Sequence, residues 1–324
     1  MPESEPPSSD QSASANRRTF LHQTAAASVA AALLAPRAQA GEETKKSPAE
    51  HLLPTIALGP HRVTRLILGG NPIYGHSHFN RHLSRHLTDW HTPDRVQQLL
   101  RQCEAAGINA WQNSYAPRTL DDLDRYRRDG GRMHWLSLGK PNWDEHPEFV
   151  EEAARRKPIG IAPHGALAEK LHRQKKLDVL KGLLGRIRQT GVLVGLSAHN
   201  PELIELAEEQ NWDVDYYMCC LYYMTRPAEE FQRILGPNLP LGEIYLPSDP
   251  PRMLQAVQRV RKPCLVYKIL AAGRRINTPQ EVRQSFETAF AGIKPTDGVI
   301  VGMYQQFSDQ VGENAAIVRE ILRP

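Results

Sequence analysis

From position 55 onward, short runs that are apolar at nearly every residue alternate with longer stretches in which apolar residues recur every three or four positions. Eight such runs occupy 65–69, 108–111, 133–138, 158–162, 192–196, 214–219, 264–267 and 298–301. Unbroken apolarity over so few residues predicts strands buried on both faces. The stretches between them predict amphipathic helices with clear ends. Thr92-Pro93 sets a capping side chain before a proline at the first helical position; Val96, Leu99, Leu100 and Cys103 then share one face, and Gly107 follows the end. Leu177, Leu180, Leu183, Leu184 and Ile187 repeat that period before Gly191. Asn200-Pro201 and Thr278-Pro279 open two more helices, and Glu281, three residues after Thr278, predicts a capping box. Strand followed by helix, eight times over, requires a parallel sheet, and the pattern predicts an α/β fold: a single-domain (β/α)8 TIM barrel over 55–324. One irregular insertion, 226–251, follows the sixth strand. An open doubly wound sheet would normally carry a glycine-rich first turn, and the chain has neither G-x-G-x-x-G nor G-x-x-x-x-G-K-S/T.

The first 40 residues read differently. A polar stretch leads to Asn16-Arg17-Arg18-Thr19-Phe20-Leu21, then to an alanine-rich apolar run at 25–35, then to Ala38-Gln39-Ala40. Charged, apolar and Ala-x-Ala parts in this order are those of a secretory signal. The arginine pair followed by x-Phe-Leu resembles a twin-arginine signal, which implies export by the Tat machinery to a periplasmic or other external location. Residues 41–54 would then be a linker. The apolar run is too short to span a bilayer, so no membrane span is expected in the mature form. Removing 1–40 takes away Arg17, Arg18, Arg37, Glu3, Glu5 and Asp10 and leaves the formal charge at +4. With the two signs interspersed, that charge does not support a nucleic-acid or membrane-surface partner; a small-molecule substrate is expected. Cys103, Cys219, Cys220 and Cys264 lie inside apolar runs without C-x-x-C spacing and predict buried free thiols rather than a zinc site or disulfide framework.

A barrel does its chemistry where its strands end. The residues there are Asn71, Gln112 with Asn113, Lys140, His164, Ser197 with His199, Cys220 with Tyr222, Lys268, and Met303 with Tyr304. Two lysines and two histidines thus converge on one mouth, a concentration of ionisable groups that points to a site.

At these residues the chain resembles the aldo-keto reductase superfamily. Val63-Thr-Arg-Leu-Ile-Leu-Gly-Gly70 is similar to the family's first strand and Gly107-Ile-Asn109 to its second-strand entry. Ser137-Leu-Gly-Lys140 and Ile161-Ala-Pro-His164 fall where the catalytic lysine and histidine close the third and fourth strands. The stretch from Thr190 to Pro201 resembles the fifth strand and its helix start, Val266-Tyr-Lys-Ile-Leu-Ala-Ala-Gly273 the seventh, and Ile300-Val-Gly302 with Glu313-Asn314 the last strand and its nucleotide-side helix. The resemblance implies NAD(P)-linked hydride transfer between a carbonyl and an alcohol. Ser197, Tyr267, Lys268, Gly273, Arg274, Gly302, Glu313 and Asn314 would then bind the cofactor, Ser197 at the carboxamide and Tyr267 stacked on the nicotinamide.

The departures from the family pattern carry as much weight. Gln112 stands where the family has an aspartate and Pro117 where it has a tyrosine, leaving Tyr115 as the nearest proton donor, with His164 polarising the carbonyl and Lys140 tuning the phenol. Without a carboxylate at 112, a buried Lys140 is drawn toward a neutral amine, which acts as a base or Schiff-base former. From Gly302 to Val318 no Lys or Arg is available for the 2'-phosphate of NADP; Arg274 and Arg275 are the candidates. The segment containing His76, His78, His82, His86 and His91 reads as a substrate flap, with metal ligation the alternative. Asn71, His78, Trp111 and His199 would suit a hydroxylated, sugar-like substrate, with the indole as stacking surface. A barrel that has exchanged hydride chemistry for lyase or isomerase chemistry through Lys140, Lys268 and His164, and a noncatalytic binding protein, remain alternative readings.

Overall fold

A computed structural model describes residues 52–323 of the 324-residue chain, so the export-signal reading of 1–40 lies outside the described residues. Eight parallel strands close into a barrel: β3 (Leu66–Gly69), β4 (Ala110–Ser114), β5 (His134–Leu138), β6 (Gly160–Ala162), β7 (Leu193–Ala198), β8 (Tyr216–Cys220), β9 (Cys264–Tyr267) and β10 (Gly298–Gly302). Each lies on one of the eight apolar runs. The ring shuts where Val299 to Gly302 pair with Leu66 to Gly69. Before the ring, β1 (Thr55–Leu58) and β2 (His61–Thr64) form an antiparallel hairpin. Its Ile56, Leu58 and Val63 join the inward residues Ile67, Ala110, Leu136, Ala162, Met218, Leu265 and Ile300 in one apolar cluster, so the hairpin plugs the end of the barrel opposite the mouth.

Pleating decides which residue of each strand enters the barrel. In β4, Ala110 belongs to the inner cluster, whereas Trp111 belongs to the larger cluster between strands and helices. The lumen is filled by a tyrosine where the neighbours are smallest: a Cβ on Gly195 would lie 2.4 Å from the Tyr216 ring, and one on Gly160 would lie 2.9 Å from it.

The helix starts follow the capping pattern. Thr92, Asn200 and Thr278 accept from the backbone N–H groups of Arg95, Glu202 and Glu281. The predicted capping box is altered: the Glu281 carboxylate accepts from Asn277 N and Nδ2, both at 3.0 Å, one residue short of the Thr278 N–H. The histidine segment also departs from its reading as a flap, since 81–90 form a helix, Arg81–Trp90, capped by Asn80. Only His82 and His86 lie in the helix, and the histidines take different partners. His86 bonds the Tyr304 hydroxyl at 2.7 Å, His91 Nδ1 bonds the Leu87 carbonyl, and His78, which precedes the helix, is the one turned to Lys268. Among the described residues no three His, Cys, Asp or Glu side chains converge to hold a metal ion. All four cysteines are buried and free. No described helix is long and apolar enough to cross a membrane.

Filling the lumen around Tyr216 generates a direct test. Gly195→Ala should destabilise the barrel by about 1–3 kcal/mol through overpacking, read as a lower urea midpoint. Combining it with Tyr216→Leu should recover part of the loss. An unchanged midpoint in Gly195→Ala would show that the tyrosine does not fill that layer.

Candidate functional site

The mouth is organised around Lys268, the first residue after β9. Its amine donates to His78 Nε2 at 2.8 Å, and Asn71 Nδ2 donates to the same nitrogen at 3.1 Å. The Asn71 amide nitrogen can only donate, so His78 Nε2 is unprotonated and Nδ1 carries the hydrogen. That Nδ1–H donates to the Glu243 carboxylate at 2.9 Å, which also accepts from the Tyr245 hydroxyl at 3.1 Å. The result is a chain of carboxylate, imidazole and amine drawn from three separate parts of the sequence. Arg274 closes it from outside: its guanidinium donates to the His78 carbonyl at 3.0 Å and lies 4.2 Å from the centre of the Phe79 ring and 3.9 Å from that of Tyr245.

This chain is held at a conformational cost. His78 and Lys268 both have positive φ, 59° and 62°, as do Ala271 and Ala272 behind them. Non-glycine residues in this region cost on the order of 1 kcal/mol each, and such strain concentrates at working sites. Burial pushes the Lys268 ammonium below its ordinary range and Arg274 adds to the effect, while Glu243 opposes it. Among the described residues the lysine ion pairs are Lys170 with Asp144 and Lys294 with Asp297, so neither Lys268 nor Lys140 has a carboxylate of its own. Cys220 is also close, but burial pushes its thiol up to about 12 and leaves it a poor nucleophile.

His164 closes the fourth strand as the cap of the helix Gly165–Arg173, its Nδ1 accepting from the Ala166 N–H at 3.1 Å. The hydrogen of the neutral ring is therefore on Nε2. Burial, reinforced by His199 and Lys268, lowers its pKa to about 4. His199 is 8% exposed and stands against the same turn: a Cβ on Gly165 would lie 3.0 Å from its ring. Its Nδ1 is 3.4 Å from the buried Glu169 carboxylate, which accepts from the His199 and Asn200 N–H groups and from the Thr225 hydroxyl. Against burial, which raises it, the His199 imidazole first and then the Thr225 and Asn200 donors hold Glu169 below the usual carboxylate range. Ser197 and Tyr267 meet through their hydroxyls at 3.3 Å, with the His199 ring edge-on to Tyr267 at 6.0 Å. A cavity of about 190 Å3, lined by His199, Asn200, Tyr223 and Arg226, opens beside this group.

Asn71, His78, His164, Ser197, His199, Tyr267 and Lys268 therefore come together, and Gln112 faces inward beside Ala110 by the pleat. Other expected residues do not join them. Trp111 is 1% exposed in the layer outside the strands, stacked on Tyr74, and offers no face to a ligand. Tyr115 packs against Trp143 and Phe149 and donates to Glu152; burial first and then Glu152 push its pKa up to about 12, the direction opposite to that required of a proton donor. Lys140 lies 6.0 Å from the centre of the Tyr115 ring, so it meets the face of the phenol rather than its oxygen. Arg274 is committed to His78 as described. Gly273 has φ 87°, a backbone that favours glycine, and a Cβ on Gly302 would lie 2.6 Å from the Pro72 ring, so both glycines answer to chain geometry. Glu313 accepts from the Ser308 hydroxyl and Asn314 is buried in the helix Gln310–Ile321.

Two carboxylates beside the strand-end residues escaped the sequence reading. Glu243 sits in the insertion, where nothing local distinguishes it. Glu169 lies mid-helix in a segment with the composition of a surface helix, yet is 1% exposed. A glutamate five residues after a strand-end histidine was the one available signal.

No protein-family model and no curated protein sequence matches the chain. Solved structures do. A truncated 3-deoxy-D-arabino-heptulosonate 7-phosphate synthase from Thermotoga maritima is 15% identical, with 83% of this chain and 91% of that chain covered and a TM-score of 0.51. The glycerol dehydrogenase from Gluconobacter oxydans is 14% identical over 83% and 95% of the two chains, with a TM-score of 0.47. A β-mannanase from Alicyclobacillus acidocaldarius is 10% identical over 82% and 99%, with a TM-score of 0.46. At these identities the likeness is one of fold, and the class defined is the (β/α)8 barrel.

The depressed pKa of His164 has a sign that can be checked. At neutral pH the ring is uncharged in both folded and unfolded chains. As pH falls below 6.5, the unfolded chain takes up a proton that the folded ring refuses until about pH 4, so stability is lost across that interval. His164→Asn keeps an oxygen to cap Ala166 and removes the titration. Its urea midpoint should fall less steeply than the parent's between these two pH values; parallel profiles would show that His164 is not held neutral.

Proposed function

We propose that the protein is an enzyme acting on a carbonyl compound through the amine of Lys268, a lyase or isomerase of the Schiff-base type. The observation that carries this reading is the hydrogen-bonded chain from Lys268 through His78 to Glu243, made by two residues in left-handed backbone. A buried amine with no carboxylate partner is available in its neutral, nucleophilic form. Its nitrogen adds to the carbonyl carbon, and the hydrogen it loses passes to His78 Nε2, while Glu243 orients the ring as a positioning residue and stabilises its charged form. The oxygen takes up the hydrogen passed to His78 and one further proton from solvent and leaves as water; the neutral His164 Nε2–H can hold that oxygen by a hydrogen bond without giving up its proton. The iminium that remains draws in the electron pair of a C–C or C–H bond on the neighbouring carbon, so that bond can break.

NAD(P)-linked carbonyl reduction is a second reading, in line with the resemblance to aldo-keto reductases. The neutral His164 with its free Nε2–H, and the Ser197–Tyr267 pair at the inner wall, favour it. Both readings place a carbonyl at the same mouth. The proposal for 1–40 remains export by the twin-arginine route, resting on Arg17, Arg18 and Ala38-Gln39-Ala40.

Sodium cyanoborohydride with a panel of small ketones and aldehydes should convert Lys268 to a stable secondary amine, located by peptide mass. Lys268→Met should abolish the adduct. Because Glu243 supports the charged amine, Glu243→Gln should move the pH of half-maximal trapping downward by up to about one unit; a merely structural Glu243 would lower yield without moving that pH. Absence of any Lys268 adduct, together with quenching of NADH or NADPH fluorescence on titration, would favour the second reading instead. For export, the Arg17→Lys, Arg18→Lys double variant should keep the precursor in the cytoplasm, whereas unchanged processing would remove the twin-arginine assignment.

A further inference from the structure

One buried pair at the mouth, Glu169 and His199, takes no part in the chemistry above. Glu169 Oε1 accepts from the His199 and Asn200 N–H groups, while Oε2 accepts from the Thr225 hydroxyl and lies 3.4 Å from His199 Nδ1. The imidazole and these donors hold the carboxyl in its ionised form against burial. Nδ1 is sealed from solvent and makes no well-aligned hydrogen bond, so the charge it faces fixes its state. Two lone pairs turned toward each other repel, and the neutral ring therefore carries its hydrogen on Nδ1. Nε2 holds the lone pair. It makes no hydrogen bond among the described residues and, unlike Nδ1, is not sealed from solvent.

The barrel sets where this ring stands. Gly195, Ser197 and, just past the strand, His199 alternate onto the inner face of β7, where a Cβ at Gly195 would meet Tyr216 in the lumen. Ala198 pairs with Cys219 and Cys220 with Tyr267, so the His199 backbone is level with that of Tyr267, two strand spacings or about 10 Å away. Side chains close most of that gap. The His199 and Tyr267 ring centres are 6.0 Å apart, and Lys268 Nζ lies 5.8 Å from the same Tyr267 centre. Amine and imidazole thus lean on one phenol ring, within the span of a single small ligand.

We propose that His199 Nε2 is a base that removes a proton from the carbon next to the iminium on Lys268, with Glu169 as the positioning residue that keeps the ring in its Nδ1–H form. The assignment rests on the Schiff-base reading of Lys268 and deepens it, since C–H cleavage is the opening step of an isomerase. The C–H bond breaks, the proton goes to Nε2, and the electron pair becomes the C=C bond of an enamine as the C=N pair withdraws onto nitrogen. Return of a proton from Nε2 to carbon restores the iminium. Water then releases the carbonyl compound and the free amine.

The test uses the full chain with hydroxyacetone in heavy water. Protons on the carbons beside its carbonyl should exchange for deuterium, followed by proton NMR, and cyanoborohydride should reduce the same species to a Lys268 adduct. Ring nitrogen shifts of isotope-labelled protein should show the His199 hydrogen on Nδ1. In Glu169→Gln the amide N–H facing the ring should move that hydrogen to Nε2, and exchange relative to adduct should fall at least about tenfold. His199→Gln, which removes the base itself, should lower that ratio as much. Adduct and exchange falling together in Glu169→Gln, with the tautomer unchanged, would make Glu169 structural and overturn its role. Adduct without exchange in the parent protein, a parent His199 with its hydrogen on Nε2, or an unchanged ratio in both variants would overturn the base and leave the amine chemistry standing. Neither adduct nor exchange would overturn both.

Discussion

Closure of the sheet between β10 and β3 is the constraint on which the remaining structure depends. Once the ring is shut, pleating allots alternate residues of each strand to the lumen and the others to the helix layer, and strand ends have one common space to project into. Tyr216 fills the lumen because Gly160 and Gly195 leave it room, and the hairpin Ile56, Leu58 and Val63 seal the far end. With the bottom plugged and the middle packed, the mouth is what remains for a ligand. Trp111 and Gln112, adjacent in sequence, are parted by this rule: the first becomes core, the second faces the site.

The electrostatics of the mouth follow from burying Lys268 and His164 without giving either a carboxylate of its own. Each of the two acidic groups there is spent on a defined task, Glu243 on His78 and Glu169 on the backbone around His199. Lys268 and His164 are consequently pushed toward neutrality at ordinary pH. The ion pairs on the surface of the same molecule differ in kind, since exchange with water leaves them little net effect.

Much of the architecture was legible in the chain. All eight runs became barrel strands, and Thr92, Asn200 and Thr278 became caps, because burial on both faces and capping are local properties. The strand-end lysines and histidines were legible for the same reason: a strand followed by a helix has only one end facing the mouth. What stayed hidden needed distance information. Tyr115 lies three residues from Gln112, yet its hydroxyl goes to Glu152 in the helix Phe149–Arg155. Of the histidine segment, read as a flap, residues 81–90 became a helix: His82 and His86, four apart, share one of its faces, while His76 and His78 precede it and His91 follows it.

Alternation of apolar runs with amphipathic stretches was sufficient by itself to determine a closed parallel barrel and to nominate the residues at its rim. Tertiary structure alone decided which of those residues act together. Glu243 and His78 are 165 positions apart and His78 and Lys268 are 190 apart, so no local pattern links them. Their meeting depends on the insertion after the sixth strand and the loop after the first folding over the end of the seventh. The lowered pKa of Lys268 likewise belongs to the folded chain, since burial is its principal cause and arises only when the barrel is complete.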